Sequence, residues 1–419
     1  MGRTARDRRP NLRPVERITL NEEHTSRRLI LAAALLLLGV GLLVYSFYQL
    51  LNPQTEWMSI TATSGDGPSG AEEFSFVYRP GAGGDSAAAE RKGVTVLYTS
   101  LARSAFELFH ADEEFEGVVN IYTINRRPNQ VLEVDSGLYA AFSGVVDSGS
   151  RAIYLGPVYD RYFDLFVCQD DEQLVDFDPR LSPEVAREYG EICAYANDPG
   201  AIGLELLGEN KIRLNISEDY LAYAQREGVD NFIDFSWMTN AFALDLIADG
   251  LTAQGYTYGI LSSYDGFCRT LDSSATDYTL QLYSRRGDVV YTAADLRYQG
   301  PRAVVSLRDY PLSDRDAERF YTLRSGERRT PYVDPADGLC RNALPELTCY
   351  SGELGCGELL LSMLPVYVAE EFDAGLLDDL EYRGIESLYW EELALQSTDS
   401  GAVVENFYDK DGVTFSAAG

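Results

Sequence analysis

Residues 233–245 read IDFSWMTNAFALD. An apolar stretch, NFIDFS, passes through Ser-Trp-Met-Thr-Asn and becomes the first turn of an amphipathic helix, with no proline and no long loop between. The alternation predicts a strand over 231–236 and a helix from Thr239, its N-cap, to Gly255 just past its end, with Phe242, Leu246 and Ile247 on one face. Such corners are where phosphate sites are often built, because a helix N-terminus offers unpaired N–H groups and the positive end of its dipole. Small residues normally keep that approach open, and here Trp237 stands in it.

Periodic segments continue on both sides of this corner, from about 93 to 392. Upstream, GVTVLYTS (93–100) reads as a strand and LARSAFELFHADEEF (101–115) as a helix. Downstream, YTYGILSS and AVVSLRDY read as strands, and ERFYTLRSGERRTPYVDPADG as a hairpin around Ser325 and Gly326 that leads into an Asp-Pro turn. GELLLSMLPVYVAEE is an apolar helix bent or stopped near Pro365, and DAGLLDDLEYRGIESLYW a short helix feeding a strand. The fold class expected is α+β, a mixed α/β domain over 93–392. Residues 52–92 are rich in Gly, Ser and Ala and read as a flexible stalk. Residues 393–419 read as a C-terminal tail.

The beginning of the chain adds a membrane element. Residues 29–51 are 23 uncharged positions, the length a helix needs to cross about 30 Å of hydrocarbon. Residues 1–28 hold eight arginines against four acidic residues, so the positive-inside rule predicts a cytoplasmic basic tail, a single transmembrane helix at 29–51 and an extracytoplasmic remainder. A cleaved signal peptide is the rival reading, but the apolar run is long and no A-x-A site closely follows it.

The chain of 419 residues is 45 % hydrophobic, enough for a substantial core, and carries a net charge of −31. Such a surface repels nucleic acid and anionic lipid and suits a divalent cation. Six cysteines, at 168, 193, 268, 340, 349 and 356, follow the apolar run. An even count outside a membrane suggests disulfides, with fifteen connectivities open, and the last three lie close enough in sequence for a local bridge. No pair has C-x-x-C spacing, so zinc and haem are weakly supported.

Three stretches in order carry a resemblance. DFSWMTNAFALD (234–245) is similar to the pattern D-L-G-G-I-A-K-G-Y-A-V-D, keeping Asp234, Ala243 and Asp245 but placing Ser236 and Trp237 at the paired glycines and Asn240 at the lysine. YVDPADG (332–338) is similar to a D-P-x-T-G turn, with Pro331 at a usual histidine. GELLLSML (357–364) is similar to A-D-A-L-A-T-A-L. Upstream, Asn125 in YTINRRPNQ matches the asparagine of an S-x-L-x-x-L-N segment. Together they resemble the ApbE family of FAD:protein FMN transferases over about 93–392.

The resemblance implies an enzyme that binds FAD, uses Mg2+ and transfers the FMN half to a threonine of a flavin-acceptor redox protein. It implies cofactor-binding roles for Asn125, Asp234, Trp237, Asn240 and Asp334. Glu358, Ser362 and the Thr239 carbonyl would be the metal ligands. A carboxylate and a hydroxyl at i and i+4 share one side of a helix, as an octahedral oxygen site wants. Read without the resemblance, Glu358 is an exposed first-turn glutamate, Ser362 a buried small residue and Asp334 an Asp-Pro turn initiator. The glycine, lysine and histidine replacements point to reduced or lost activity. The alternatives are a catalytically inactive binding or scaffold relative, and an unrelated anchored surface domain presenting some of its 28 tyrosines.

Overall fold

The computed structural model describes residues 56–63, 69–82, 86–272, 274 and 276–418. The basic tail and the expected span at 29–51 lie outside them. Among the described residues no helix is long and apolar enough to cross a membrane.

Regular structure begins inside the expected stalk. β1 (Met58–Ile60) pairs antiparallel with β2 (Phe74–Tyr78), and in β2 Phe74, Phe76 and Tyr78 are buried while Ser75 and Val77 are less so. That alternation is a strand with one face on a core, so residues 74–78, expected within a flexible stalk, belong to the folded domain. The strand expected at 93–100 is instead part of α1 (Ala87–Phe109). Val94, Tyr98, Ala102, Ala105 and Phe109 recur every three or four residues on its buried side. Packing of that stripe overrides the β-propensity of Val-Thr-Val.

A run of short elements follows: α2 (Ile121–Asn125), β3 (Val131–Glu133), α3 (Ser136–Ser148), α4 (Gly156–Tyr162), α5 (Pro183–Ala196), β4 (Ile202–Gly208), β5 (Lys211–Ile216) and α6 (Glu218–Glu227). β3, β5 and β4 form a small antiparallel sheet. The strand expected at 231–236 does not form. Its backbone is held by one side chain instead: Asn125 Oδ1 accepts the N–H groups of Phe232 (3.0 Å) and Ile233 (2.9 Å), and Asn125 Nδ2 donates to the Ile233 carbonyl (2.9 Å). A buried backbone needs partners for its polar groups, and here a neighbouring strand is not the source.

The corner helix forms as read. α7 (Thr239–Ala253) begins after a single 3-10 turn, Ser236–Met238, which makes Thr239 its first helical residue and not its cap. Gly255, at φ 83°, supplies the left-handed residue that ends it. Then come β6 (Gly259–Ser263), β7 (Phe267–Thr270), the long hairpin β8 (Asp277–Arg286) and β9 (Val289–Gln299), β10 (Arg302–Arg308), the small hairpin β11 (Tyr321–Thr322) and β12 (Arg328–Arg329), and β13 (Glu346–Ser351). α8 (Cys356–Tyr367) runs two residues past Pro365, and α9 (Gly375–Tyr382) leads into β14 (Glu386–Glu391).

The expected tail is also structured. β15 (Ala394–Ser397) pairs with β14, β16 (Val403–Glu405) with β9, β17 (Asp409–Lys410) with β18 (Val413–Thr414), and β19 (Ser416–Ala417) with β15. Buried Leu395 and Phe415 anchor it. Among the described residues the main sheet has nine strands in the order β1-β2-β6-β7-β10-β13-β14-β15-β19, antiparallel except for its last pairing.

Both faces of this sheet are covered. Ala303, Val305, Leu307, Leu347 and Cys349 join the helical core, whereas the intervening Val304 and Tyr350 pack with Leu282, Ala294 and Leu296 of the β8–β9 hairpin. Two-sided burial explains why β13 is buried along its whole length, its Glu346, Thr348 and Ser351 included. All six cysteines are free thiols, and Cys340, Cys349 and Cys356 stand in a loop, a strand and a helix, so the expected disulfides are not formed.

Asp245 of α7 joins the two central helices. Its carboxylate accepts the N–H groups of Cys356 and Gly357, each at 2.8 Å, and pairs with Arg269 of β7. Gly355 and Gly357 permit this approach: a Cβ on the first would fall 2.4 Å from Asp245 Oδ2, and on the second 2.5 Å from the Phe242 ring. Asp245→Ala removes a helix cap and leaves a partly buried guanidinium with less compensation, so urea unfolding should show a loss of about 2–4 kcal/mol. Asp249→Ala, which removes a 3.3 Å contact to the same arginine from an exposed side chain, should stay within about 0.5 kcal/mol.

Candidate functional site

The corner that opens α7 forms one wall of a cavity of about 890 Å³. Asp234, Ser236, Trp237, Thr239 and Asn240 line that wall. The C-terminal half of α1 faces it with Phe106, Phe109 and His110, α4 contributes Tyr159 and Asp160, and the loop before β11 contributes Arg315 and Arg319.

The turn itself is tight. Ser236 has φ 49°, a left-handed conformation that costs an L-residue about 1 kcal/mol and a glycine little. It is the position at which the resembled pattern has its first glycine. Asp234 secures the turn by accepting the Ser236 N–H at 2.6 Å, while its own N–H donates to the Ile153 carbonyl.

Trp237 is only 5 % exposed and stacks edge-on against Tyr332, with ring centroids 5.0 Å apart. It separates the main cavity from a residual space of about 10 Å³ lined by Pro331, Tyr332, Arg308 and Asp316. The indole therefore fills the region between the corner and Pro331, which answers how so large a residue is accommodated there. Its N–H has no hydrogen-bond partner; the nearby Tyr159 hydroxyl donates to the Ala152 carbonyl at 3.0 Å.

Asn240 donates to Asp265 (2.9 Å) and more distantly to Glu73 (3.4 Å), and the same two carboxylates pair with Arg319. Positive charge absent from position 240 thus reaches the same wall from residue 319. Asp316 holds the loop that carries it: its carboxylate accepts the N–H groups of Leu312 (2.9 Å) and Ser313 (2.7 Å) and pairs with the buried Arg308. Arg315 lies over the Tyr264 ring at 4.1 Å.

Two carboxylates of the cavity hold protons unusually well. Burial pushes the Asp234 carboxyl up to about 6, opposed by the Ser236 N–H and reinforced by nearby Asp160. Asp160 stands exposed at the cavity rim, and partial burial of its carboxyl raises it as well, against the hydrogen bond from Asn231, with Asp112 and Asp230 adding to the shift. Asn231 Nδ2 bridges the pair, 2.8 Å from Asp160 and 3.4 Å from Asp234.

The other residues singled out from sequence lie elsewhere. Asn125 does not line the cavity; its amide is fully engaged with Asn231, Phe232 and Ile233 and so shapes the approach to the corner. Asp334 caps its own turn through the Ala336 N–H (2.8 Å) and pairs with Arg341. Glu358 is exposed and borders a separate groove with Asp245 and Arg269, whereas Thr239 lines the main cavity. The Ser362 hydroxyl is buried and donates to the Glu358 carbonyl at 2.7 Å. Among the described residues, no group of three or more His, Cys, Asp or Glu side chains is arranged to hold a metal. His110, Asp160, Arg315 and Arg319 had no motif to mark them; folding alone brings them to the corner.

No protein-family model and no curated protein matches the sequence. Solved structures do share the fold. The flavin transferase ApbE from Vibrio cholerae superposes with a TM-score of 0.53 at 15 % identity, over 84 % of this chain and 97 % of that one. The ApbE protein from Thermotoga maritima gives 0.54 at 15 % identity with the same coverage, and a point mutant of the Vibrio protein gives 0.50 at 14 %. The chain thus has the ApbE flavin transferase fold.

Ser236→Gly should stabilise the fold by about 1 kcal/mol, read from chemical unfolding, because it relieves the left-handed serine. Asp234 gives a pH test. Between its ordinary value of 3.8 and about 6 the native state keeps a proton that the unfolded chain has released, so its contribution to stability falls as pH rises through that window. Asp234→Asn should therefore unfold at higher denaturant than the wild type at pH 7.5, with the difference shrinking as pH falls below 5.

Proposed function

We propose that this chain is a flavin-nucleotide-binding protein of the ApbE type whose transfer chemistry is weakened or lost. The observation that supports it most directly is the cavity of about 890 Å³ built on the 234–240 corner, within a fold shared with two ApbE proteins. Its volume suits a drug-sized or larger ligand. Phe106, Phe109 and Tyr159 give an apolar wall for an isoalloxazine ring. Arg315 and Arg319 are the cations available to a diphosphate, and a fork-shaped guanidinium binds such oxygens in two directions.

FAD thus fits the residues present, and bound there it would supply the phosphoanhydride bond whose cleavage passes FMN to an acceptor. The chain's part would be to position that diphosphate against Arg319 and to exclude water from the apolar wall. Mg2+ is less well provided for, since Glu358 and Thr239 border different cavities. In the full reading the domain is carried on the 29–51 anchor outside the cytoplasmic membrane and faces a flavin-acceptor redox protein there.

A second reading is favoured by particular residues. Trp237 at a glycine position, Asn240 at a lysine position and Pro331 at a histidine position all lie at one corner. A binding or scaffold protein that keeps the nucleotide without transferring it accounts for the three together.

Titrating the full chain with FAD by calorimetry and flavin fluorescence, in magnesium and in EDTA, tests both. Saturable binding with a micromolar Kd is expected, with AMP release slow or absent. Arg319→Ala should weaken FAD about tenfold, or 1.4 kcal/mol, and leave riboflavin, which has no phosphate, unchanged. A folded sample that binds no FAD at several hundred micromolar would sink the flavin reading.

A further inference from the structure

A second large cavity, about 840 Å³, opens away from the 234–240 corner and shares no lining residue with the flavin cavity. Its walls come from the β8–β9 turn, the β11–β12 hairpin, the segment before α5 and the segment after the Asp-Pro turn. They carry five arginines, 180, 285, 328, 329 and 341, against four carboxylates. The chain as a whole has 35 basic and 66 acidic side chains, so this cleft inverts the local balance.

The arginines divide into two sets. Arg285 makes a two-pronged pair with Asp309 (3.1 and 2.8 Å) and reaches the Gly287 carbonyl (2.8 Å), while Arg341 pairs with Asp334 and Asp337. Those two are saturated and frame the cleft. Arg180, Arg328 and Arg329 are not. Arg180 has one contact, 3.3 Å to Glu327 Oε1, and the same oxygen also serves Arg329 at 2.8 Å. Arg328 reaches the Asp309 carbonyl at 3.3 Å and the fully exposed Asp288 only at 3.7 Å.

Arg329 supplies an independent sign that an acceptor is missing. Its side chain is 1 % exposed, its Nε donates to Asp178 at 2.6 Å and its Nη1 to the Arg328 carbonyl at 3.1 Å, and among the described residues its Nη2 has no hydrogen-bond partner. A guanidinium has five donors and no way to neutralise itself, so a buried N–H without an acceptor carries a desolvation penalty. Arg180 and Arg329 share one glutamate oxygen, and Arg328 beside them has only contacts of 3.3 Å and longer, so the three adjacent guanidiniums lack acceptors that an oxyanion with several oxygens would provide.

We infer that this cleft is a second ligand site, selective for a small polyanion bearing at least two oxyanion groups, held by Arg180, Arg328 and Arg329. Because the rest of the surface repels anions, recognition depends on short charge-assisted hydrogen bonds and not on long-range steering, and it persists at moderate salt. The inference does not rest on the flavin reading.

The test is titration of the full chain at 0.15 M salt with pyrophosphate, and separately with tricarballylate, which carries carboxylates in place of phosphates. Saturable one-to-one binding of either is expected, and the stronger of the two identifies the oxyanion. Arg180→Ala and Arg328→Ala, at partly exposed side chains, should each weaken it at least tenfold. Lys211→Ala removes the same charge from β5 and should leave it within twofold. Absence of saturation below 10 mM in folded protein overturns the inference. So does binding that survives both cleft variants, or that is lost in Arg319→Ala alone, since the anion would then sit in the flavin cavity.

Discussion

The Asp245 carboxylate is the point from which the helical layer is organised. It takes the first free N–H groups of α8 and the guanidinium of Arg269 on β7, so one side chain fixes α7 to a second helix and to the sheet. A helix N-terminus buried without such a partner would leave donors unpaired. Everything at the other end of α7 inherits this anchoring: the 3-10 turn, the left-handed Ser236 and the cavity wall they form. The two glycines flanking Cys356 are required for the same reason, since a side chain at either would push the carboxylate or the Phe242 ring away.

The replacements at the corner are physically coupled. A tryptophan in place of a glycine adds volume, and here that volume lies between the turn and Pro331, where a proline has no imidazole to be displaced. Asparagine in place of lysine removes a charge that would otherwise stand beside Asp265 and Glu73. Those two carboxylates instead take Arg319 from a different element. The wall keeps a cation within reach of a ligand, but as a guanidinium already shared between carboxylates. A phosphate must compete with Asp265 and Glu73 for it, which is a reason to expect weaker binding than a free lysine would give.

Much of this was legible in the sequence where one face of an element is buried. The α7 helix, its Gly255 terminus, strand β6, the Ser325–Gly326 hairpin and α8 follow from spacing and turn chemistry. The segments misread are those in which a distant partner decides. GVTVLYTS is β-prone locally and helical because α1 packs its stripe on α7; NFIDFS is apolar and extended but takes its hydrogen bonds from Asn125, more than a hundred residues earlier. Composition misled at the described parts of 52–92 and 393–419, where strands of two to five residues are too short for their alternation to register. At the site, the corner could be found from its own residues. Asp160 and Arg319 could not, because their neighbours exist only after folding.

The distribution of charge connects the two cavities. The cavity at the 234–240 corner has Glu73, Asp112, Asp160, Asp234 and Glu318 on its walls against two arginines and His110, whereas the second cleft has more arginines than carboxylates. In a chain of net charge −31, an anion approaching either one meets the same distant repulsion, reduced beyond about 8 Å by physiological salt. Selectivity must then arise at contact. In the first cavity Phe106, Phe109 and Tyr159 stand beside the two arginines, so an apolar surface and a cationic one are both available. In the second, no comparable apolar wall competes with the guanidiniums, and oxygen acceptors are the complement the surface lacks. Arg319 in the first cavity is shared between Asp265 and Glu73, whereas Arg180 and Arg328 in the second have only contacts of 3.3 Å and longer.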